Sequence, residues 1–550
     1  MKKTFSVILA AIMLLSAAFA LSSCAGGEKI TVEPGPFGKY TPSVKISYSL
    51  PFVGGFESSA LDKIGYSVEF TPWTEKIEQD LGIRLVNEWA VTDNSAYMQK
   101  LTSSIAISDI PDVLNLLSGE DIAYSYAKSL YENDLVREIS DLIENYASDE
   151  LKESIEVAGE EIFYPVTFAG GKYAMPQITD GTASYDNIWW LRKDWLDNLN
   201  LDVPTDWDSF AAVLTAFSNQ DPDGNGAKDT YGLSMAVTSE HYDRVLFNSL
   251  GAYPYMWLED ENGDLVYGSI QPEMKSALEK IASLYASGVI YPDLTATRYL
   301  GISQNQSGMI SGTLNFVKAF DSLYRGNTSV EFVPVKAFSM VNGVDEAVLQ
   351  GAHNAYRYWT VSKDCEYPET MVKLFNHYIA TAKAADSDNE LYNSLFTDIG
   401  GLAPVITSHL KADAENAYEV LYDAIESQDD SLLEKASHKN MYNSVMKYLA
   451  DGDRAYYGDY LLYARDGSYD IFFSDYSYEN FTVNKYNYSK TATMVERELD
   501  LNSLQYSTFY RIITGEATID EFDIFVTEWK NQGGDTITAE VNAWYDSMKG

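Results

Sequence analysis

The chain has 550 residues, which is longer than the part of a protein that usually shares a single hydrophobic core. Its 46% hydrophobic and 22% charged residues exclude wholesale disorder. The 81 Asp and Glu against 39 Lys and Arg give a formal charge of −42, which disfavours partners such as nucleic acid and anionic lipid surfaces. Aromatic residues make up 13% of the chain. Tyr and Trp suit the faces and hydroxyls of sugars, although core packing explains such a composition equally well.

The N-terminus has the pattern of an export signal. A positive start, "MKK", precedes an apolar run that ends in "LSSC" at Cys24. This ending resembles the lipobox of bacterial lipoproteins, which implies cleavage before Cys24 and lipidation of that cysteine on the extracellular face of the cell membrane. Residues 24–43, rich in Gly and Pro, are predicted to form a flexible tether. The other cysteine, Cys365, is expected to be structural, since a lipidated Cys24 leaves it no disulfide partner.

A first series of elements alternates between strand and helix. Residues 44–50 alternate as a strand does, and residues 74–89 have the pattern of a helix that runs into a strand. The stretch "PDVLNLL" at 111–117 is a short apolar run, and residues 120–146 have helical periodicity. This alternation predicts an α/β unit with a largely parallel sheet.

A second series follows. Residues 187–204 are predicted to form a strand that breaks into a helix, and residues 205–220 a helix capped by Thr205 or Asp206. The stretch 258–268 has the pattern of a hairpin with Asn-Gly at the turn. A further amphipathic helix and two helices in the tail complete the pattern.

One loop has the spacing of a metal site. The stretch "DPDGNGAKDTYG" at 221–232 places an oxygen-bearing side chain at alternate positions and a glycine at the sixth, which is nearly the calcium loop of an EF-hand. The twelfth position, where an EF-hand has a bidentate glutamate, holds Gly232. The alternative is a solvated turn without metal.

Taken together, these segments resemble the family 1 extracellular solute-binding proteins of ABC transporters, especially the lipoprotein branch associated with oligosaccharides. The matching stretches follow the family's order: the lipobox, "KYAMP", "WWLRKDWLDNLNLDVPTDWDSF", "DPDGNGAKDTYG", "LVYGSIQPEMKSALEKIASLYASGVIYPD", "VSKDCEYPETMVKLFNHYI" and "ITGEATIDEFDIFVTEWKNQGGDTITAEVNAWY". The resemblance implies an α/β protein with the two-lobed periplasmic-binding-protein-like fold of type II, whose ligand cleft lies between lobes joined by a multi-strand hinge.

The expected boundaries follow from this resemblance. They are a signal peptide at 1–23, a tether at 24–43, lobe 1 at 44–176, lobe 2 at 177–335, a return to lobe 1 at 336–405, and lobe 2 with the C-terminal helices at 406–550.

The resemblance also implies a structural calcium ion, because alginate-binding relatives carry a calcium loop in the corresponding place. Matching position by position assigns side-chain oxygens of Asp221, Asp223, Asn225 and Asp229, and the carbonyl of Ala227. Those relatives continue with an acidic residue where this chain has Thr230. Because calcium takes about 6–8 oxygens, water or a more distant group must complete the shell.

Ligands of open α/β sheets bind beyond the carboxyl ends of the strands. This rule selects Ser49 and Phe52 after the first strand, and Glu120 and Asp121 after "PDVLNLL". The aromatic candidates for stacking on a sugar are Trp73, Trp190, Tyr253, Tyr255, Trp257 and Trp359. Trp189 and Trp190 are neighbours on a predicted strand, so one is expected in the core and the other in the cleft.

The leading hypothesis is a lipid-anchored receptor without catalytic activity: a monomer that captures an oligosaccharide by hinge closure and delivers it to an ABC permease. The main alternative is a cell-surface glycoside hydrolase or lyase, which would use the same aromatic residues and add a pair of carboxylates. A third possibility is a binding protein for a peptide or another solute.

Overall fold

The computed structural model describes residues 29–50, 61, 66–67, 69–89, 91, 93–118, 120–179, 187–238, 242–295, 297–385, 402–410, 416–433, 436–486 and 490–549. The strands are β1 (Thr31–Val32), β2 (Tyr40–Thr41), β3 (Val44–Ser49), β4 (Ile83–Trp89), β5 (Val113–Ser118), β6 (Thr167–Phe168), β7 (Gly171–Lys172), β8 (Met175–Ile178), β9 (Ile188–Arg192), β10 (Tyr231–Leu233), β11 (Trp257–Glu259), β12 (Leu265–Tyr267), β13 (Ser307–Gly312), β14 (Phe332–Lys336), β15 (Leu349–Gln350), β16 (Ala355–Val361) and β17 (Phe481–Thr482).

The α-helices are α1 (Pro72–Leu81), α2 (Asn94–Ala106), α3 (Glu120–Glu132), α4 (Ser140–Tyr146), α5 (Asp149–Ala158), α6 (Lys193–Leu199), α7 (Trp207–Asn219), α8 (Arg244–Ser249), α9 (Pro272–Ala286), α10 (Tyr299–Ser303), α11 (Asp321–Gly326), α12 (Thr370–Ala385), α13 (Asn416–Ser427), α14 (Ala436–Asp451), α15 (Tyr457–Tyr463), α16 (Ser468–Asp470), α17 (Ala492–Ile513), α18 (Glu521–Trp529) and α19 (Asp535–Lys549). None of the helices in the described ranges is long and apolar enough to cross a membrane.

Lobe 1 is built on a five-stranded sheet with the order β4-β3-β5-β16-β8. The first three strands are parallel, and β16 is antiparallel to both of its neighbours. Four strands of this sheet run in one direction, as the prediction of a largely parallel sheet requires, and β16, which enters from the other lobe, runs against them. Helix α1 begins where Thr71 and Thr74 form a reciprocal capping box, and it packs against β4.

Lobe 2 is built on a four-stranded sheet with the order β10-β13-β9-β14. Strands β10 and β13 are parallel, whereas β9 runs antiparallel to β13 and β14. Pro334 is tolerated because β14 is an edge strand. Helix α7 is capped by Asp206, whose carboxylate accepts the N–H of Ser209 at 2.8 Å, and it buries Phe210 and Phe217 against the sheet.

Among the described residues, the chain passes between the two cores three times: between residues 179 and 187, between 350 and 355, and between 410 and 416. Thr179 donates its N–H to the carbonyl of Asn354 at 3.0 Å, and Ser408 donates to the carbonyl of Ile178 at 2.9 Å. The chain segments at the lobe 1 side of the three crossings therefore lie side by side and are joined by hydrogen bonds, and this region is called the hinge. The chain rejoins the core of lobe 1 at Ala355, later than the boundary at 336 that the sequence predicts.

Helices α13 to α15 form a helical unit with a small core of its own, inserted into lobe 2. Arg465 fastens this unit, since its guanidinium contacts Glu426 at 3.1 Å and Glu419 at 3.3 Å and lies 4.8 Å from the ring centre of Tyr422. Ser468 Oγ then donates to the carbonyl of Leu314, directly after β13, at 2.9 Å. This bond ties the chain that follows the unit to the carboxyl end of β13.

Candidate functional site

One edge of the lobe 2 sheet faces the hinge. The N–H of Asn187, at the end of the first crossing, donates to the carbonyl of Gly312 at 3.1 Å. Gly312 is the last residue of β13, and it pairs with the first residue of β9. The carboxyl ends of β10 and β13 therefore lie where the chain arrives from lobe 1, which is the place where open α/β sheets bind ligands. This edge is called the cleft edge below.

A cavity of about 280 Å³ lies in lobe 2 beside the hinge and is called the aromatic cavity. It is lined by Tyr255, Trp257, Tyr267, Asn484, Tyr486, Lys490, Met494, Glu498, Leu501, Asn502, Trp529 and Ile537. The rings of Tyr267 and Trp529 stack with their centres 5.0 Å apart and form its floor. Amides and the Lys490–Glu498 ion pair stand among the rings, so the cavity combines flat apolar faces with hydrogen-bonding groups.

The wall of the aromatic cavity is tied to the hinge. Asn484 Oδ1 accepts the N–H of Trp257 at 2.9 Å, while the carbonyl of Asn484 lies 2.8 Å from Nε2 of His353. His353 belongs to the second crossing, and burial lowers its pKa. The neutral ring therefore donates from Nε2 to the carbonyl and links the cavity wall to a crossing segment.

The same wall reaches lobe 1. The ring of Tyr486 contacts that of Trp544 with centres 4.9 Å apart, and Trp544 contacts Tyr164 at 6.5 Å. Tyr164 lies in the short 3-10 segment Glu160–Val166, whose neighbours are part of the lobe 1 core. The aromatic cavity thus opens close to the line along which the two lobes meet.

A second cavity, of about 300 Å³, lies at the cleft edge and is called the strand-end cavity. It is lined by Ala236, Thr238, Tyr242, Asp243, Thr295, Thr297, Arg298 and Tyr299. Arg298 donates to Ser311 Oγ at 3.2 Å, and its guanidinium lies 5.2 Å from the ring centre of Phe316. The rings of Tyr242 and Tyr255 are 5.4 Å apart, so the two cavities are neighbours.

Three of the predicted stacking residues are buried in the cores. Trp190 and Trp359 donate their indole N–H groups to the carbonyls of Thr313 at 3.1 Å and Pro404 at 3.0 Å. Trp73 is buried under Tyr378, with parallel rings 5.4 Å apart. Their rings present no open face to a cleft in this structure.

The expectation that one of Trp189 and Trp190 faces the cleft is wrong. Strand β9 lies between two other strands, and all five of its residues are buried. Both faces of the strand are covered, so alternation along it sends the two indoles into two parts of the same core.

The remaining predicted residues divide into several groups. Tyr255 and Trp257 lie together in the aromatic cavity. Tyr253 lines a different cavity, and its hydroxyl donates to the carbonyl of Val348 at 2.9 Å; burial raises its pKa to about 12. Ser49 is buried, with its Oγ 2.6 Å from the hydroxyl of Tyr97.

Four predicted residues lie wholly or partly outside the described part of the structure. Glu120 and Asp121 begin helix α3 directly after β5, as the strand-end rule requires, but their side chains lie outside the described part of the structure. Phe52 and the lipidation site Cys24 also lie outside the described residues. Cys365 is buried, and burial raises the pKa of its thiol to about 12, in keeping with a structural role.

The sequence missed several residues that line the two cavities. Asn484 and Tyr486 come more than two hundred residues after Trp257, in a stretch without helical or strand periodicity, so nothing local connects them. Arg298 and Tyr299 follow a loop after helix α9. A signal for them existed in the run "YGLSMAV", whose first three residues form strand β10 and whose remainder follows the carboxyl end of that strand at this edge.

The loop at 221–229 brings its polar side chains together. Asn225 Nδ2 lies 2.9 Å from a carboxylate oxygen of Asp223 and 3.3 Å from one of Asp229, and the N–H of Gly226 donates to Asp221 at 3.0 Å. Partial burial and the neighbouring carboxylates raise the pKa of Asp223. A cation among these oxygens would relieve that repulsion.

Two other residues of the loop make hydrogen bonds within the protein. Thr230 is buried and its hydroxyl donates to the carbonyl of Phe217 at 2.8 Å, so it does not turn toward the carboxylates. Ala227 donates its N–H to Asn225 Oδ1 at 2.6 Å. Among the described residues, no group of three or more His, Cys, Asp and Glu side chains is arranged as a ready metal site.

No family model matches the chain. The chain nevertheless shares its fold, with two mixed α/β lobes, with solved solute-binding proteins associated with ABC transporters. The resemblance and the two-lobed α/β fold predicted from the sequence are therefore confirmed.

The curated relatives are bacterial binding proteins and a lipoprotein. The chain is 22% identical to the polygalacturonan/rhamnogalacturonan-binding protein YtcQ of Bacillus subtilis (strain 168), over 98% of this chain and 99% of that protein. It is 27% identical, over 36% of its length and 35% of the relative's, to the fructooligosaccharide ABC transporter substrate-binding protein FusA of Streptococcus pneumoniae serotype 4. It is 26% identical to lipoprotein LipO of Bacillus subtilis over 40% of this chain and 42% of that protein.

Among solved structures, the HMO-binding, ABC-transporter-associated solute-binding protein of Bifidobacterium longum infantis has a TM-score of 0.57, with 17% identity over 92% of this chain and 99% of that chain. An EF-hand mutant of Streptococcus pneumoniae FusA in complex with fructo-nystose has a TM-score of 0.55, with 14% identity over 92% and 99%. Alginate-binding protein AlgQ2, in a structure without calcium ion, has a TM-score of 0.51, with 14% identity over 92% and 98%.

Proposed function

We propose that this protein is an extracellular receptor that binds an oligosaccharide between its lobes and passes it to an ABC permease. The observation that carries the proposal is the aromatic cavity, in which Tyr255, Trp257 and Tyr486 stand among amides and charged groups beside the hinge. Sugar rings need both features, since their C–H faces pack on aromatic rings and their hydroxyls require hydrogen-bond partners. The names of YtcQ and FusA support an oligosaccharide as the ligand class.

Capture follows from the position of the cavity. The side chains of lobe 2 form one wall, and Tyr164 of lobe 1 approaches that wall through Trp544. A ligand that contacts both lobes stabilises the closed arrangement by the difference between its contacts in the two states. Binding and release require no bond to be made or broken, so the protein acts as a carrier and not as an enzyme.

The location and partners belong to the same proposal. Lipidation at Cys24 would hold the protein at the outer face of the membrane, and the name of LipO supports a lipoprotein. Residues 24–43 would give the lobes reach toward the permease. A single chain contains both walls of the cleft, so a monomer suffices for capture.

The loop at 221–229 is proposed to bind calcium in a structural role, with Asp221, Asp223, Asn225 and Asp229 as side-chain ligands and the carbonyl of Ala227 as a further one. The loop joins α7 to β10, so the ion would hold the two elements together without taking part in sugar binding. Asp223→Asn should abolish a rise in melting temperature with calcium. Asp260→Asn, in the turn between β11 and β12, is the control and should leave that rise unchanged.

Thermal unfolding of the mature protein with a panel of oligosaccharides tests the main proposal. A sugar at 100 times its Kd should stabilise the fold by about 2.7 kcal/mol. Tyr255→Leu should weaken binding of that sugar. Tyr253→Leu is the matched control, because Tyr253 is a half-buried tyrosine two positions away that lines a different cavity.

Each sugar is recovered afterwards and checked for cleavage. Intact sugar with a shift in melting temperature supports a receptor, and turnover would refute it. Equal loss of affinity in both tyrosine variants would show that the sugar does not bind specifically in the aromatic cavity.

A further inference from the structure

The cleft edge does not end at the strand-end cavity. The exposed ring of Tyr299 lies 4.9 Å from Phe316, just beyond the carboxyl end of β13. Asn315, the residue before it, is exposed and donates its side-chain amide to the hydroxyl of Tyr469 at 3.1 Å. The edge therefore continues from lobe 2 onto the inserted helical unit.

Three rings meet at this point and are called the aromatic platform: Tyr418, Tyr469 and Phe473. Tyr418 and Phe473 stack with centres 4.4 Å apart and planes 16° from parallel, and Tyr469 lies 5.5 Å from Tyr418. All three are only partly buried, unlike the fully covered core of the helical unit, which includes Leu421 and Val445. Tyr418 packs against this small core, and Tyr469 and Phe473 pack against the core of lobe 2, so the platform joins the two cores while each of its residues keeps part of its surface exposed.

The local backbone also sets the platform apart. Phe473 lies in the π-helical turn Ile471–Asp475, and such turns occur frequently at functional sites. Attachment of the unit to lobe 2 rests on other groups, among them the bonds from Arg454 to the carbonyls of Tyr324 and Val330 and the bond from Ser468 to the carbonyl of Leu314. The turn therefore positions a ring at the cleft edge in addition to joining two elements.

We propose that the aromatic platform is an additional sugar-stacking subsite, in line with the strand-end cavity, and that the ligand is a linear oligosaccharide long enough to reach it. This inference rests on the proposed function. Flat rings would pack against the C–H face of a terminal sugar unit. Asn315, whose side-chain carbonyl oxygen has no hydrogen-bond partner among the described residues, would orient that unit through a hydroxyl.

The test compares ligands of different length. Affinities of the mature protein for a dimer, a tetramer and an octamer of linear oligogalacturonide are measured by titration calorimetry. The wild-type protein should bind the octamer more tightly than the dimer. Tyr418→Leu and Phe473→Leu, which keep apolar volume, should weaken octamer binding by about 3- to 10-fold and leave dimer binding unchanged.

The matched control is Tyr456→Leu. Tyr456 is a half-buried tyrosine of the same helical unit, and its neighbour Arg454 bonds to the carbonyl of Val330, at the opposite end of the lobe 2 sheet. This variant should bind all lengths as the wild type does. Unchanged melting temperatures would show that each variant is folded.

The outcomes separate two failures. Equal affinities of the platform variants and the wild type for the octamer, or equal losses for dimer and octamer, would overturn the subsite while leaving the receptor in place. Binding of none of the oligogalacturonides, repeated with linear fructooligosaccharides of the same lengths, would overturn the proposed function and the subsite with it.

Discussion

Restoring the missing EF-hand ligand should damage this protein. Sequence logic suggests Gly232→Glu, which would supply the glutamate of the twelfth position. In the structure, Gly232 is buried on β10 against helix α7. A Cβ atom there would lie 2.6 Å from the Cα of Leu214 and 2.7 Å from its carbonyl oxygen, closer than a side chain can approach a backbone.

The expected cost follows from two terms. Forcing the strand and the helix apart costs about 1–3 kcal/mol, as overpacked cores do. A carboxylate in this covered position adds several kcal/mol more, of the order measured for unpaired buried charges. The variant should therefore lose at least about 3 kcal/mol of the free energy of unfolding.

Differential scanning calorimetry and calcium titration measure the two effects together. Gly326→Glu makes the same chemical change at an exposed glycine with open space around its Cα, and it should melt close to the wild type. A Gly232→Glu protein that melts like the wild type and binds calcium more tightly would refute the steric argument.

Three further outcomes are expected. Trp190→Phe should lower the melting temperature and leave sugar affinity unchanged, because the indole is a core group that donates a hydrogen bond to a carbonyl. A loss of sugar affinity without a change in melting temperature would show that Trp190 contacts the ligand. The hydrogen bond from His377 and the nearby Lys76 lower the pKa of Asp80 to about 2. The free energy of unfolding that the Asp80 carboxylate contributes above about pH 4 should therefore be lost as the pH drops from about 4 to 2. His377→Leu should make acid unfolding depend less steeply on pH in this range. Arg465→Leu should speed amide exchange in α13 and α14 before it does so in the lobes, and uniform exchange would contradict its local role.

Local signals in the sequence predicted most helices and strands, but not which faces of those helices and strands are buried. The cap at Asp206 and the apolar spacing after it predicted α7 closely, because capping and periodicity act within one turn or two. Trp190 was misjudged because alternation along a strand does not say whether the second face is covered. Coverage depends on helices and strands from distant parts of the chain.

The candidate site shows the same limit. Tyr255 and Trp257 were predicted to bind ligand because an aromatic stretch without periodicity is unusual for a core; both line the aromatic cavity, Tyr255 half-buried and Trp257 buried. Asn484 belongs to the site because it bonds to Trp257, more than two hundred residues earlier in the chain. No local sequence pattern predicts such a contact. Likewise, Gly232 has the right loop position for a ligand, and only its packing against Leu214 shows why no side chain occurs there.

The placement of β16 between β5 and β8 has a consequence for how the chain folds. Lobe 1 begins first along the chain, yet one of its inner strands arrives only at Ala355–Val361, after the whole lobe 2 sheet has passed. Until then β5 and β8 each carry an unpaired edge, which invites pairing with other chains. Chains that end before residue 355 should therefore aggregate. The sheet of lobe 2, although it begins later in the chain, can assemble before the sheet of lobe 1.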